Sequence, residues 1–205
     1  MIYAFLTGFI LGFSLILAIG AQNSFVLRQG LIGRHVFIVA LFCALSDALL
    51  IIIGVAGISI FLNYIDSVSD WLFGISAIWL AGYGLLRLRD AVTGKSALIA
   101  ENSSANGLAS TLSFLAVVTF ANPHVYLDTV VLIGSVSQQF SDDAKLAYVL
   151  GASIASFVFF FSLSYGAKFL APIMKRPSSW RILDCSIALL MFIIAFKLAY
   201  SGNWL

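Results

Sequence analysis

Residues 1–27 contain no charged side chain, and runs nearly as bare of charge recur to the end of the sequence. Such segments cannot cover a water-facing surface. Only 10% of the 205 residues are charged, against about 25% in an ordinary soluble domain, and mean hydropathy is +1.06. Apolar runs of about 20 residues are long enough to cross, as helices, a hydrocarbon core roughly 30 Å thick. They do not alternate polar and apolar as the strands of a membrane barrel would. The chain therefore reads as an all-α integral membrane protein, with the lipid bilayer as its solvent.

Six spans are expected, at 2–26, 36–62, 71–88, 109–134, 146–170 and 181–200. The first could mimic a signal peptide, but no Lys or Arg precedes it, so it is read as a retained helix. One polar stretch, 91–108, reads as a linker between two halves of a single transporter domain spanning 1–205. The first half covers 1–90 and the second 109–205. Arg28, Arg34, Arg87, Arg89, Lys95, Lys168, Lys175, Arg176 and Arg181 fall in the first, third and fifth connections. The second holds Asp66 and Asp70, and the fourth Asp142 and Asp143 with Lys145. The excess of bases marks the cytoplasmic side, which puts both termini outside and makes 91–108 cytoplasmic.

The halves repeat weakly. At an offset of 100, Ala21-Gln22-Asn23 matches Ala121-Asn122-Pro123, and "SFVLR" matches "HVYLD". At 109, Trp71 matches Trp180, Gly57 matches Gly166, and Asp47 meets Ser156. Three spans per half is an odd number, so the halves must lie in opposite orientations. Inverted repeats of this kind place solute sites near the membrane midplane, where the halves meet. The expected architecture is six transmembrane helices as two inverted three-helix repeats.

The polar interruptions fall at equivalent places, and the first and fourth helices are expected to be interrupted there. Pro123 breaks or kinks the fourth span, and Asn122 can bond the local backbone. In the first span Gly20 permits unusual dihedrals, while Gln22 and Asn23 supply amides. Each also has a purely structural reading, as a kink or as a polar helix end. Asp47 sits near mid-membrane on a face with Ala40, Cys43, Ala44 and Gly54. A carboxylate there needs a partner or a cavity, and it reads either as a cation or proton site or as a structural hydrogen bond. Asp128 lies toward the end of its span, Asp184 is placed with Arg181 at the interface, and His35 and His124 read as isolated. The two cysteines read as apolar packing residues, and Gly8 and Gly12 as a packing pair. No metal-ligand spacing, nucleophile motif, phosphate loop or basic tract for nucleic acid occurs. No cofactor and no enzymatic activity are expected.

"GAQNSFVLRQG" (20–30), "ALSDALLI" around Asp47 and "ANPHVYLDTVVLIGS" (121–135) together resemble the LysE family of basic amino acid exporters, over essentially the whole chain. One departure is Ala21, where the family usually has proline. The resemblance implies a carrier of the bacterial inner membrane that exports L-lysine or L-arginine, driven by the membrane potential or a proton gradient. It implies substrate contacts from Gln22, Asn23, Asp47, Asn122, Tyr126 and Asp128, with Gly20 and Pro123 breaking the helices, and Asp47 and Asp128 as an acidic pair. Metal-ion or neutral amino acid export is the alternative on the same scaffold, and a non-transporting subunit is a third reading. A homodimer is left open.

Overall fold

The computed structural model describes residues 1–17, 20–61, 65–94, 107–202 and 204, with side chains left out at 59–61, 65–70 and 175. Most of the linker, 95–106, and the side chains of Asp66 and Asp70 thus lie outside the described residues. Within them every regular element is helical: α1 (Ile2–Leu17), α2 (Ala21–Ile32), α3 (Val36–Phe61), α4 (Ile65–Thr93), α5 (Leu108–Phe120), α6 (Pro123–Ser137), α7 (Asp142–Leu170), a short 3-10 turn (Ile173–Lys175) and α8 (Pro177–Ser201).

Among the described residues, four helices are long and apolar enough to cross a membrane: Val36–Ile58, Trp71–Thr93, Asp142–Leu170 and Pro177–Ser201. The pairs α1/α2 and α5/α6 meet the same test together but bend by 79° and 60°, and counting each as one span gives six. A bent pair followed by two long helices thus occurs twice in chain order. The bundle exposes rows of large apolar residues, such as Leu45, Leu49, Ile52 and Ile53 on α3. So much exposed apolar surface is stable against lipid tails and not against water. The protein is a multi-pass membrane protein.

Several boundaries differ from those the hydropathy predicts. α2 runs to Ile32, so Arg28 is inside a helix and not beyond it. α4 starts at Ile65 and ends at Thr93, and α8 starts at Pro177. Hydropathy marks where apolar side chains stop, whereas backbone hydrogen bonding continues through charged turns whose side chains reach the interface. Pro177 occupies the first turn of α8, where its missing N–H costs nothing. Gly33 closes α2 in the left-handed region (φ 77°), its N–H bonding Gln29 O at 2.9 Å.

Packing depends on a few glycines. A methyl group on Gly8 of α1 would strike the Tyr148 carbonyl of α7, and one on Gly151 would strike the Phe5 carbonyl of α1. Gly12 lies against Ala152. α1 and α7 therefore touch backbone to backbone, as small residues allow between helices in lipid. Gly54 of α3 meets Thr129 and Val130 of α6, while Gly30 of α2 meets Ser164 and Ala167 of α7. At the offsets of the repeat, Gly30 corresponds to Val130 and Gly54 to Leu163. The α3–α6 and α2–α7 crossings are therefore counterparts. α4 and α8 pack along their length around Leu80, Ile187 and Met191.

Four bases of the odd connections, Arg28, Arg34, Arg87 and Arg181, lie toward one end. Arg28, Arg34 and Arg87 surround one cavity there, and Gly94 lies against Arg181. At the opposite end Trp71 and Trp204 stack edge to face with centroids 5.4 Å apart.

Candidate functional site

The first interruption is held by polar side chains. α2 begins at Ala21 after Gly20, whose backbone is extended (φ −90°, ψ −176°). Any residue adopts that conformation, so the unusual dihedral expected of Gly20 is absent. A methyl group added there would also meet nothing within 4 Å. The work is done by Asn23, whose Nδ2 donates to Ile16 O at 2.7 Å. The last carbonyls of a helix have no partner within it, and Asn23 satisfies one of those of α1. Ser24 Oγ donates to Gly20 O at 2.8 Å.

The second interruption reaches the same result with other residues. Asn122 is extended (φ −87°, ψ 107°), as a residue before proline must be. Its Oδ1 accepts from the His124 N–H at 3.1 Å, which caps α6. Pro123 is the first residue of α6, so it starts a half-helix and does not kink a continuous one. Tyr126 Oη donates to Phe120 O at 2.8 Å. Tyr126 thus closes the end of α5 as Asn23 closes that of α1. Leu127–Ile133 is π-helical, a wide turn that often marks functional segments, and Thr129 Oγ1 bonds Val125 O at 2.7 Å within this region.

Between the two breaks lies a small cavity of about 70 Å³. Gly20, Gln22, Asn23, Asp47, Asn122 and Asp128 all line it, together with His124 and Thr129. Of the expected substrate contacts, Tyr126 alone does not line this cavity, because its ring turns back to Phe120. Asp47 is 5% exposed and accepts from Ser156 Oγ at 3.4 Å. Gln22 lies close enough to act on both Asp47 and Cys43. Its amide nitrogen has no well-formed hydrogen bond among the described residues. Asp47 also feels Asp128 across the cavity.

His124 is not isolated. Its Nδ1 stands 3.1 Å from Asp128 Oδ2, and the i,i+4 spacing of the two on one helix could have signalled this pair. Asp184 is not an interfacial partner of Arg181 either. It is 3% exposed and bonds Arg87 Nη1 at 3.4 Å. Ser156 was missed as an Asp47 partner, although the repeat equates the two positions. Cys43 is a buried free thiol, as its packing role requires, while Cys185 is exposed.

Two larger cavities flank the small one. The cavity at the basic end measures about 280 Å³ and is lined from α2, α4, α5 and α8 by residues including Arg28, Tyr83, Arg87, Ser110 and Asp184. The other, about 370 Å³, is lined from α6, α8, α1 and α4 by residues including Ser14, Phe73, Asp128 and Lys197. Shifted by 100 or 109 positions, the helices around one cavity become those around the other. Among the described residues no three His, Cys, Asp or Glu side chains converge as metal ligands would.

Comparison with known proteins gives a consistent answer. A family model described as LysE type translocator matches residues 13–202. The chain is 38% identical over 194 residues to YggA of Aeromonas salmonicida, provisionally named an amino-acid transporter, covering 95% of this chain and 94% of that one. It is 36% identical over 206 residues to the arginine exporter protein ArgO of Salmonella enteritidis PT4, covering 98% and 96%. The arginine exporter protein ArgO of Salmonella typhimurium gives the same identity and coverage. No solved structure matches the chain.

Proposed function

The chain belongs to the LysE type translocator family, and from that premise we propose that it exports L-arginine, with L-lysine as a second substrate, across the bacterial inner membrane. The observation that carries this reading is the convergence of two helix breaks and two aspartates on one small cavity between two larger ones. α2 and α6 start at this cavity. Helix N-termini present free N–H groups and positive dipole ends, which suit the substrate carboxylate. α1 and α5 end there, and their carbonyl ends suit its ammonium group. Asp47 receives the cationic side chain and Asp128 takes it on the far side. Gln22 and Asn122 contribute amides. Asn23 and Tyr126 act one step back, by holding the breaks in shape.

Six spans, counted with each bent pair as one, form two inverted repeats about an axis in the membrane plane. The reciprocal crossings at Gly30 and Gly54 support this, and so does the Ser156–Asp47 bond. Residues that a two-fold axis exchanges can touch only near that axis, and these two are 109 positions apart. The basic end faces the cytoplasm, which leaves both termini outside. The two repeats rock about the central cavity, so that each flanking cavity connects to it in turn. A proton gradient or the membrane potential drives the cycle.

The test is counterflow of labelled L-arginine in liposomes, with lysine, neutral amino acids and divalent metals as competitors. Arginine and lysine should compete and the others should not. Asp47→Asn should lower the rate at least ~100-fold, in line with loss of a buried charge-assisted contact of a few kcal/mol. Full, potential-dependent flux in Asp47→Asn would overturn the assignment.

A further inference from the structure

We propose that the cavity at the basic end is a second binding site, a loading site for a basic amino acid, and that two of the protein's own arginines fill it in this structure. The inference rests on the export reading and adds a station to it.

The cavity is lined by three arginines, Arg28, Arg34 and Arg87, and two aspartates, Asp90 and Asp184. Arg87 of α4 places Nη2 2.8 Å from Asp90 Oδ2 and Nη1 3.4 Å from Asp184 Oδ1 of α8. Its guanidinium carbon lies 5.2 Å from the Tyr83 ring centre. Arg28 of α2 stacks over Trp180 of α8, 5.5 Å from the ring centre, and lies within electrostatic reach of Asp184 and Asp90. A guanidinium over an aromatic face beside a carboxylate is the arrangement that recognises a guanidinium ligand. Here Arg28 occupies that position.

Arg87, Asp90 and Asp184 offer groups that match both ends of a basic amino acid. Both Arg87 Nη groups face aspartates, but its buried Nε has no hydrogen-bond partner among the described residues. The Nε edge of a guanidinium can hold a carboxylate through two hydrogen bonds. An incoming arginine would place its carboxylate on that edge and its guanidinium over Trp180 against Asp184, moving Arg28 aside. Tyr83 then links this site to the central one, since its hydroxyl donates to Ala21 O, at the start of α2, at 3.4 Å.

This charged set has no full counterpart at the other end. At the offsets of the repeat, Trp180 corresponds to Trp71, Asp184 to Ile75, Tyr83 to Phe192, Arg87 to Phe196 and Arg28 to Asp128. The opposite end keeps the tryptophan but has apolar residues in place of Asp184 and Arg87, and Asp128 and Lys197 line its cavity instead.

Uptake of labelled L-arginine into inside-out vesicles tests this. Asp184→Asn should raise KM about tenfold or more, the scale of one charge-assisted bond, with kcat within about threefold. Arg28→Gln should lower KM severalfold, because it removes the internal competitor. A variant whose only tryptophan is Trp180 should change fluorescence on adding arginine, and should not do so once Asp184→Asn is added. The double change Arg87→Gln with Asp184→Asn separates a site from a strap. Wild-type KM in the double variant would show a purely structural pair and overturn the proposal, as would a raised KM in Arg28→Gln or an unchanged KM in Asp184→Asn. In each of those cases the export reading stands. Wild-type vesicles that carry no arginine at all would overturn both.

Discussion

Asn23 and Gly20 exchange the importance that their residue types suggest. Glycine at a helix break invites an argument from backbone freedom, yet Gly20 is in ordinary extended conformation with open space around its Cα. Gly20→Ala should therefore leave the melting temperature in detergent within about 1 °C, since no strain or clash is introduced. Asn23→Ala should instead lower stability by roughly 1–3 kcal/mol, because the half-buried Ile16 carbonyl loses its donor. Equal melting temperatures for the two variants would show that the Asn23 bond does not hold the break. Asp47 was legible from the sequence because a carboxylate eleven residues into an apolar span must find a partner or a cavity. The partner of Asp184 was not legible. It comes from a helix 97 positions away, and no local pattern reports a contact of that kind. His124 stands between these cases, since its partner is one helical turn on.

Among the helices, the glycines that match in sequence are not those that pack. Gly57 and Gly166, which coincide at the offset of 109, both have open space at the Cβ position. Gly54 and Gly30, which have no glycine counterpart, sit against backbone at the two equivalent crossings. The repeat is therefore better expressed in which helices cross than in identities between residues. Apolar helices match one another by chance, whereas a crossing must be built. Gly54→Val should cost several kcal/mol or abolish the folded yield, because its side chain would run into the Thr129 and Val130 backbone, which cannot move without shifting the π-helical turn. Gly57→Ala should leave both yield and transport near wild type. Fluorescence-detected gel filtration of the two variants measures this difference, and equal profiles would show that the α3–α6 crossing has room to spare. The π-helical turn itself could not be read from "LDTVVLI", an apolar stretch with no proline or glycine.

The two halves differ in one packing relation, and under the proposed repeat that difference assigns a state to the whole molecule. α1 lies tightly on α7 through Gly8, Gly12 and Gly151. Its counterpart α5 touches α3 far less. On the proposed orientation, with the basic end cytoplasmic, the tight contact would close the outer half and the loose one would leave the inner half open, which suits an exporter waiting for substrate. Rocking of the repeats would exchange these relations, so that α5 closes on α3 while α1 leaves α7. Cysteine pairs can read both states. A Cβ on Gly12 would lie 3.4 Å from that of Ala152, near the 3.5–4.5 Å usual for a disulfide. In a background with Cys43→Ala and Cys185→Ser, the pair Gly12→Cys with Ala152→Cys should therefore cross-link readily under mild oxidant and stop transport, and reductant should restore it. The repeat equates Gly12 with Leu112 and Ala152 with Cys43, so the opposite state needs only Leu112→Cys beside the native thiol, with Cys185→Ser. That second bond should form slowly without substrate and faster during turnover with arginine, because the arrangement that closes α5 on α3 is then visited in each cycle. If instead arginine speeds the first bond and slows the second, the assignment of open and closed halves is reversed. If neither rate responds to arginine while flux continues, the two halves do not rock.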